Sequence, residues 1–395
     1  MSDRPLRVVV APDSFGGALA SPGVAGAIAA GWARARPADT LDLAPMADGG
    51  EGTLEALCVA LGDRADRRSL ATVDALGRPI TAEWLLIDGG EAAFVEMATA
   101  SGLARLSTEE RTPANARIAS SRGTGDLLRA ALDAGASSIT LGLGGSATTD
   151  GGSGMLVALG ARLLDAADEE LPPGGAALAR LARIDASGLD PRLGEAAITV
   201  ASDVTNTLCG PAGAAATYGP QKGCDEWAVA ELDRALLHWG RMVEQATGRA
   251  VTEEEGAGAA GGTTSALLGF TTARIRPGVE VVAEAVGLAE LLAAADLVIT
   301  GEGQADEQTL SGKAAMGVAA LARGNATPVI LLCGGLGPGA AALDASGAFA
   351  VVQPIADRPM RLAASMRDTE RLLANAAERV AHTLQVGLRL SEADA

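Results

Sequence analysis

Arg7-Val8-Val9-Val10-Ala11, followed at once by Pro12-Asp13-Ser14, reads as a short buried strand running into a polar turn. After Pro22 an alanine-rich segment continues as a helix to about Arg36. Proline suits its first turn, where the missing N–H would have had no helical partner. Thr40 to Pro45 is a second strand and leads through Ala47-Asp48-Gly49-Gly50-Glu51-Gly52-Thr53 into a helix ending near Leu61. This βαβα opening predicts parallel pairing with right-handed crossovers. The last third repeats the style, with strands at Leu297–Thr300, Val329–Leu332 and Phe349–Val352 and helices at Ala314–Ala322 and Thr369–Leu388. Short apolar strands between helices mark a parallel sheet covered on both faces.

The middle has a different character. Thr72-Val73, Ala82 to Ile87 and Ala92 to Met97 are strands joined by short glycine-containing turns, which predicts a locally antiparallel sheet. Helices are expected at Gly123–Ala134, Met155–Leu163 and Glu226–Gln245, and strands at Ser138–Leu141 and Ala197–Ser202. Residues 165–190 read as exposed turns, and 253–262 as a solvated acidic turn followed by a backbone-exposing glycine loop. The expected fold is therefore α/β with two domains. Residues 1–65 and 290–395 build one open, mostly parallel sheet from both chain ends, and 66–289 form a mixed α/β insertion.

Composition narrows the function. The 395 residues carry 31 Lys plus Arg against 49 Asp plus Glu, a formal charge of −18, which argues against a nucleic-acid-coating surface. No apolar run is long enough to span a membrane, and the start lacks the pattern of a signal peptide, so a cytoplasmic location is expected. The four cysteines have no metal-like spacing and are expected to be reduced thiols. Only two cations are lysines, Lys222 and Lys313. Where arginine is the default cation, a retained lysine suggests a need for a compact ammonium.

Five loops set glycine beside carboxylates or hydroxyls, mostly just after strands: Pro12 to Gly17, Ala47 to Gly52, Gly144 to Gly152, Ser202 to Asn206, and Gly301 to Asp306. Crevices past the carboxyl ends of strands bind ligands in open α/β sheets, and glycine lets backbone N–H groups approach a phosphate. None of the loops is a Walker A loop, and no Gly-x-Gly-x-x-Gly follows the first strand, which disfavours a nicotinamide-linked dehydrogenase. Nor does a Gly-x-Ser-x-Gly elbow occur. Many Asp-bearing loops with few cations suit a Mg²⁺-nucleotide.

Eight separated pieces, in order, resemble the bacterial glycerate kinase family. They are Val10 to Phe15; Met46 to Thr53; Glu96-Met97-Ala98 with Ala100 to Leu103; Ser121-Arg122-Gly123-Thr124-Gly125; Gly144 to Thr148 with Asp150-Gly151-Gly152; Asp203 to Asn206; Gly219-Pro220-Gln221-Lys222-Gly223; and Gly301-Glu302-Gly303. The resemblance implies two α/β domains, one flavodoxin-like and discontinuous. It also implies ATP- and Mg²⁺-dependent phosphorylation of D-glycerate to 2-phosphoglycerate by a monomer or homodimer, with no nucleic-acid or membrane partner. A glycerate 3-kinase and a non-catalytic nucleotide- or hydroxy-acid-binding sensor are the alternatives.

Loop chemistry and resemblance together nominate the site. Asp203, Asp306, Lys222 and Arg122 are expected to carry the transfer. Asp13, Ser14, Gly144, Gly145, Ser146, Gly301, Glu302 and Lys313 should meet the nucleotide, and Asp48 and Glu51 the metal. Asp13, Asp48, Gly145, Asp203, Lys222, Glu302 and Asp306 are expected to face one cleft. The chain departs from the family pattern at Gly16-Gly17, where a charged pair is usual, at Gln304, which stands for Arg, and at Ala315, which stands for Pro. Arg122, Arg117 or Lys313 is expected to supply the cation absent at position 16, or else a nest of glycine N–H groups there takes its place.

Overall fold

Val8, Val9 and Val10 are fully buried, as a β-branched run bounded by charge and proline requires. In the computed structural model, which describes residues 4–311 and 314–393, they lie inside a five-stranded parallel sheet. Its order is Val351–Pro354, Val329–Cys333, Leu297–Glu302, Arg7–Val10, Thr40–Leu43. Counted along the chain this is the flavodoxin-like order 2-1-3-4-5, whose direction of winding reverses between the first and third strands. On one face, helix Ser21–Ala35 packs against Thr369–Ala393, burying Ile28, Trp32, Leu372 and Leu373. The two helices meet at Gly31, where a Cβ would stand 2.0 Å from the carbonyl oxygen of Ala374. Only glycine permits that approach.

The chain divides into two compact units. The first is Met1–Asp48 with Glu55–Gly62 and Val279–Ala395; the second is Gly49–Leu54 with Asp63–Gly278. The second unit has a six-stranded mixed sheet in the order Arg274–Arg276, Ala197–Ala201, Ser138–Gly142, Ala92–Glu96, Pro79–Ile87, Ala65–Val73. The first four strands are parallel and the last two pairings antiparallel, as the short glycine turns predicted. The outermost strand, Ala65–Val73, exposes Asp66, Arg67 and Arg68, charges that discourage edge-to-edge pairing.

Four sequence expectations are corrected. The helix expected over Met155–Leu163 stops earlier, at Ser153–Ala158, and Arg162–Leu164 is a strand. Gly160 breaks it, with φ +108° and a backbone pressed so close to Gly188 that a Cβ would lie 2.0 Å from that carbonyl oxygen. Residues 165–190 include the buried Gly175, Leu178 and Leu181 as well as exposed turns. The stretch read as a backbone-exposing loop is buried, and Ala259–Phe270 is a helix whose start holds three left-handed residues, Ala260, Gly261 and Gly262. The strand expected at Phe349–Val352 lies two residues later, at Val351–Pro354. All four cysteines are free. Among the described residues, no helix is long and apolar enough to cross a membrane.

Candidate functional site

Strand Ser138–Gly142 opens into the glycine-rich loop that the sequence singled out, and one buried carboxylate shapes it. Asp150 is fully buried and accepts from Ser121 N (2.8 Å), Ser121 Oγ (2.9 Å), Gly152 N (3.1 Å) and Gly154 N (3.2 Å). The loop is tied down again by Leu103 N donating to Gly145 O at 2.7 Å and Ala147 N to Ser101 O at 2.9 Å. At Gly144 a Cβ would come within 2.3 Å of Gly50 Cα, so the loops around Gly50 and Gly144 lie backbone to backbone. Glu96 holds the first of these by accepting from Gly52 N (3.0 Å) and Leu54 N (2.7 Å).

Against these loops lies a pocket of about 450 Å³, with Glu51, Arg111, Gly145, Ser146, Tyr218 and Lys222 among its walls. Lys222 comes from the turn Pro220–Lys222 and is buried, its Nζ donating to Thr148 O at 2.6 Å and Ser146 Oγ at 3.2 Å. An ammonium has three N–H groups, so one remains for a ligand. Burial pushes the Lys222 amine down to about 8, opposed first by the nearby Cys224 sulfur and then by the Asp150 carboxylate, whose own pKa burial raises. Tyr218 is fixed by its hydroxyl donating to Asn206 Oδ1 at 2.8 Å. Two of the three charged residues in the wall are cations, in a chain whose net charge is −18. That local reversal makes the wall more favourable to an anion than the rest of the surface.

In the first unit, a second group gathers at the topological switch point. Asp13 N donates to Gly301 O at 2.8 Å and Thr300 Oγ1 to Ala11 O at 2.8 Å, which binds the ends of the first and third strands together. Asp13 Oδ1 accepts from the N–H of its neighbour Ser14 at 2.6 Å. Glu302 is buried and accepts from Thr309 Oγ1 at 2.7 Å, while Asp306 Oδ2 accepts from Gln304 Nε2 at 2.8 Å. Gln304 thus spends its amide on the neighbouring carboxylate. In open sheets of this order the crevice beyond the strand ends at the switch point is the ligand position.

Of the nominated residues in the second unit, Glu51, Gly144, Gly145, Ser146 and Lys222 line the pocket. Asp203 does not, although its neighbours Ser202 and Val204 do; it is exposed and its Oδ1 accepts from Gly278 N at 3.0 Å. Arg122 is exposed at the start of helix Arg122–Asp133 and is not part of the pocket wall. Arg117 is committed to Glu231 Oε2 at 2.7 Å and to the Pro113 carbonyl at 3.0 Å. Asp48 is exposed at the end of the loop after Thr40–Leu43. Lys313 lies outside the described residues. Among those described, no group of three or more His, Cys, Asp or Glu side chains could hold a metal. Arg111 was missed; it is one of 29 arginines in a segment without strand or glycine signals.

The turn at Gly16-Gly17 is closed by Phe15 N donating to Leu19 O at 2.8 Å and Ala18 N to Phe15 O at 2.7 Å. A Cβ on Gly16 would meet nothing within 4 Å, whereas Gly17 has φ +71°. Thermal melts should therefore show Gly16→Lys close to wild type and Gly17→Ala destabilised by about 1 kcal/mol.

The description of the glycerate kinase family matches residues 8–385. A glycerate kinase from Halalkalibacterium halodurans is 43% identical over 95% of this chain and 97% of its own length. A glycerate 2-kinase from Escherichia coli K12 is 41% identical over 97% and 99%. A crystal structure from Salmonella typhimurium LT2, provisionally described as glycerate kinase 2, superposes with a TM-score of 0.86 at 40% identity, covering 98% of this chain and all of that one.

Proposed function

The chain belongs to the glycerate kinase family, in its 2-kinase branch, and we propose that it phosphorylates D-glycerate from ATP with the glycine-loop pocket of the second unit as the acceptor site. The observation that carries this reading is Lys222. A buried ammonium with one N–H unspent, on the wall of a pocket built from glycine loops, offers charge to an anion without a hydration shell to remove. In-line phosphoryl transfer needs positioning and charge stabilisation more than covalent chemistry, and such a group supplies both. Gly144 and Gly145 lie on the same wall, where the absence of a side chain lets a ligand approach the backbone closely.

Mg²⁺ would neutralise charge on the nucleotide phosphates. It typically keeps water and one or two protein carboxylates instead of a full protein cage. That fits a protein in which no three-ligand cluster occurs among the described residues, and Glu51 is the carboxylate available on the pocket wall. For the first unit, the switch-point rule supports nucleotide contacts at Asp13, Ser14, Gly301 and Glu302. Asp203, whose neighbours Ser202 and Val204 line the pocket, is the candidate for orienting the acceptor hydroxyl, and Asp203→Asn should lower kcat more than it raises KM.

Purified protein with ATP, Mg²⁺ and D-glycerate should release ADP and give a product that enolase dehydrates directly. A product that enolase accepts only after phosphoglycerate mutase is added would be the 3-phospho isomer and would overturn the regiochemistry. No ADP release above the control without glycerate would sink the acceptor assignment.

A further inference from the structure

Arg111 is the charged group on the pocket wall that the reaction as described leaves without a task. Two of its five N–H donors are spent, Nη2 reaching the carbonyl oxygens of Leu103 at 3.2 Å and Leu106 at 3.3 Å. Its Nε is buried and has no partner among the described residues. A buried guanidinium N–H left unpaired is costly, and a ligand or ordered water that completes it recovers that cost. Neither Glu51 nor any other carboxylate of the second unit forms an ion pair with it among the described residues, although arginines such as Arg78, Arg117 and Arg192 there do pair with carboxylates.

The backbone shows that the position is built. Gly223 follows Lys222 with φ +97°, and a Cβ there would stand 2.2 Å from the carbonyl carbon of Arg111. The turn bearing Lys222 and the chain bearing Arg111 are therefore pressed together, and the two cations enter one pocket from touching segments. Their chemistries differ. A planar fork anchored through one nitrogen pairs with a flat carboxylate in a fixed orientation, whereas an ammonium is a point charge suited to a phosphoryl group whose geometry changes during transfer.

We propose that Arg111 binds the carboxylate of the acceptor and so restricts this pocket to small hydroxy acids, refusing the corresponding neutral amides and polyols. The inference rests on the kinase reading of the pocket, so the test is arranged to separate the two. In steady-state assays Arg111→Gln should raise the KM for D-glycerate about 10- to 100-fold with kcat changed far less, the scale of one charge-assisted contact. Arg111→Lys should fall between. Glyceramide, the neutral isostere, should inhibit the wild type weakly and Arg111→Gln at least as well. A merely structural arginine would shift glycerate and glyceramide together, and that result, or an unchanged KM, overturns the proposal.

If the wild type shows no turnover, the kinase reading fails, but thermal melts without nucleotide still decide the role of Arg111. D-glycerate should raise the wild-type melting temperature and not that of Arg111→Gln. Equal shifts, or none in the wild type, overturn the assignment. Protection by inorganic phosphate but not by D-glycerate would mean a phosphoryl subsite and would overturn it too. Should Arg111→Gln prove poorly folded, through loss of its bonds to Leu103 and Leu106, Arg111→Lys carries the comparison.

Discussion

Replacing Lys222 with methionine should lower kcat/KM for D-glycerate by about two to three orders of magnitude, the usual loss when a preorganised donor to developing charge is removed. Stability should barely move. The buried amine is held at about 8 against an ordinary 10.5, so at neutral pH the native state carries an ammonium that burial disfavours. Methionine of similar length removes that cost and leaves Thr148 O and Ser146 Oγ without one donor each, losses of about 1 kcal/mol apiece in the opposite direction. A folded, inactive protein is the expected combination, and a melt beside an assay checks it. The pH dependence has a definite sign. As pH rises through about 8 the wild type loses this positive charge, so its apparent affinity for the anionic acceptor should fall. Between about 8 and 10.5 the unfolded chain binds more protons at this residue than the native one, so wild-type stability should gain from this group as pH rises. Lys222→Met should lack that gain.

Lys222 stands out in the sequence because there is only one other lysine and because it precedes a glycine in a strongly patterned stretch, and the structure puts it on the pocket wall. The parallel sheet of the first unit was legible for a similar local reason: short β-branched runs such as Arg7–Val10 and Leu297–Glu302 stand between clear helices and end in polar glycine loops. Arg111 was not legible. Its role depends on a touching segment more than a hundred positions away, and no local pattern records that contact. The buried segment Ala259–Phe270 failed for another reason. Its glycines looked like surface loop, but Gly261 sits where a Cβ would be 1.9 Å from Thr148 O. Glycine was there for close packing against the pocket loop, which sequence cannot distinguish from a solvated turn. Asp203 and Arg122 show the converse limit. Both lie within conspicuous motifs, but their side chains are exposed and do not line the pocket.

Asp150→Ala should be the most damaging single change to the fold of the second unit, at a position with no proposed contact to any ligand. Its carboxylate serves three buried N–H groups, of Ser121, Gly152 and Gly154, and the Ser121 hydroxyl, which itself accepts from Met155 N at 3.0 Å. Alanine leaves those donors in a dry interior. At about 1–3 kcal/mol for each unsatisfied group, partly relieved by relaxation, the total is on the order of 4 kcal/mol. For a unit of this size that is roughly a 10 °C fall in melting temperature. Asp150→Asn separates geometry from charge. Its amide oxygen can still accept at the position of Oδ2, where three of the four bonds converge, while its NH₂ opposes Gly152 N. Asparagine should therefore recover most of the stability. It removes the negative charge that helps keep Lys222 protonated, so the alkaline fall in acceptor affinity should begin at lower pH than in the wild type. A stable Asp150→Asn protein with an unshifted pH–KM profile would show that Asp150 only braces the loop. A shifted profile would show that the carboxylate shaping the glycine loop also sets the charge of the lysine that loop surrounds.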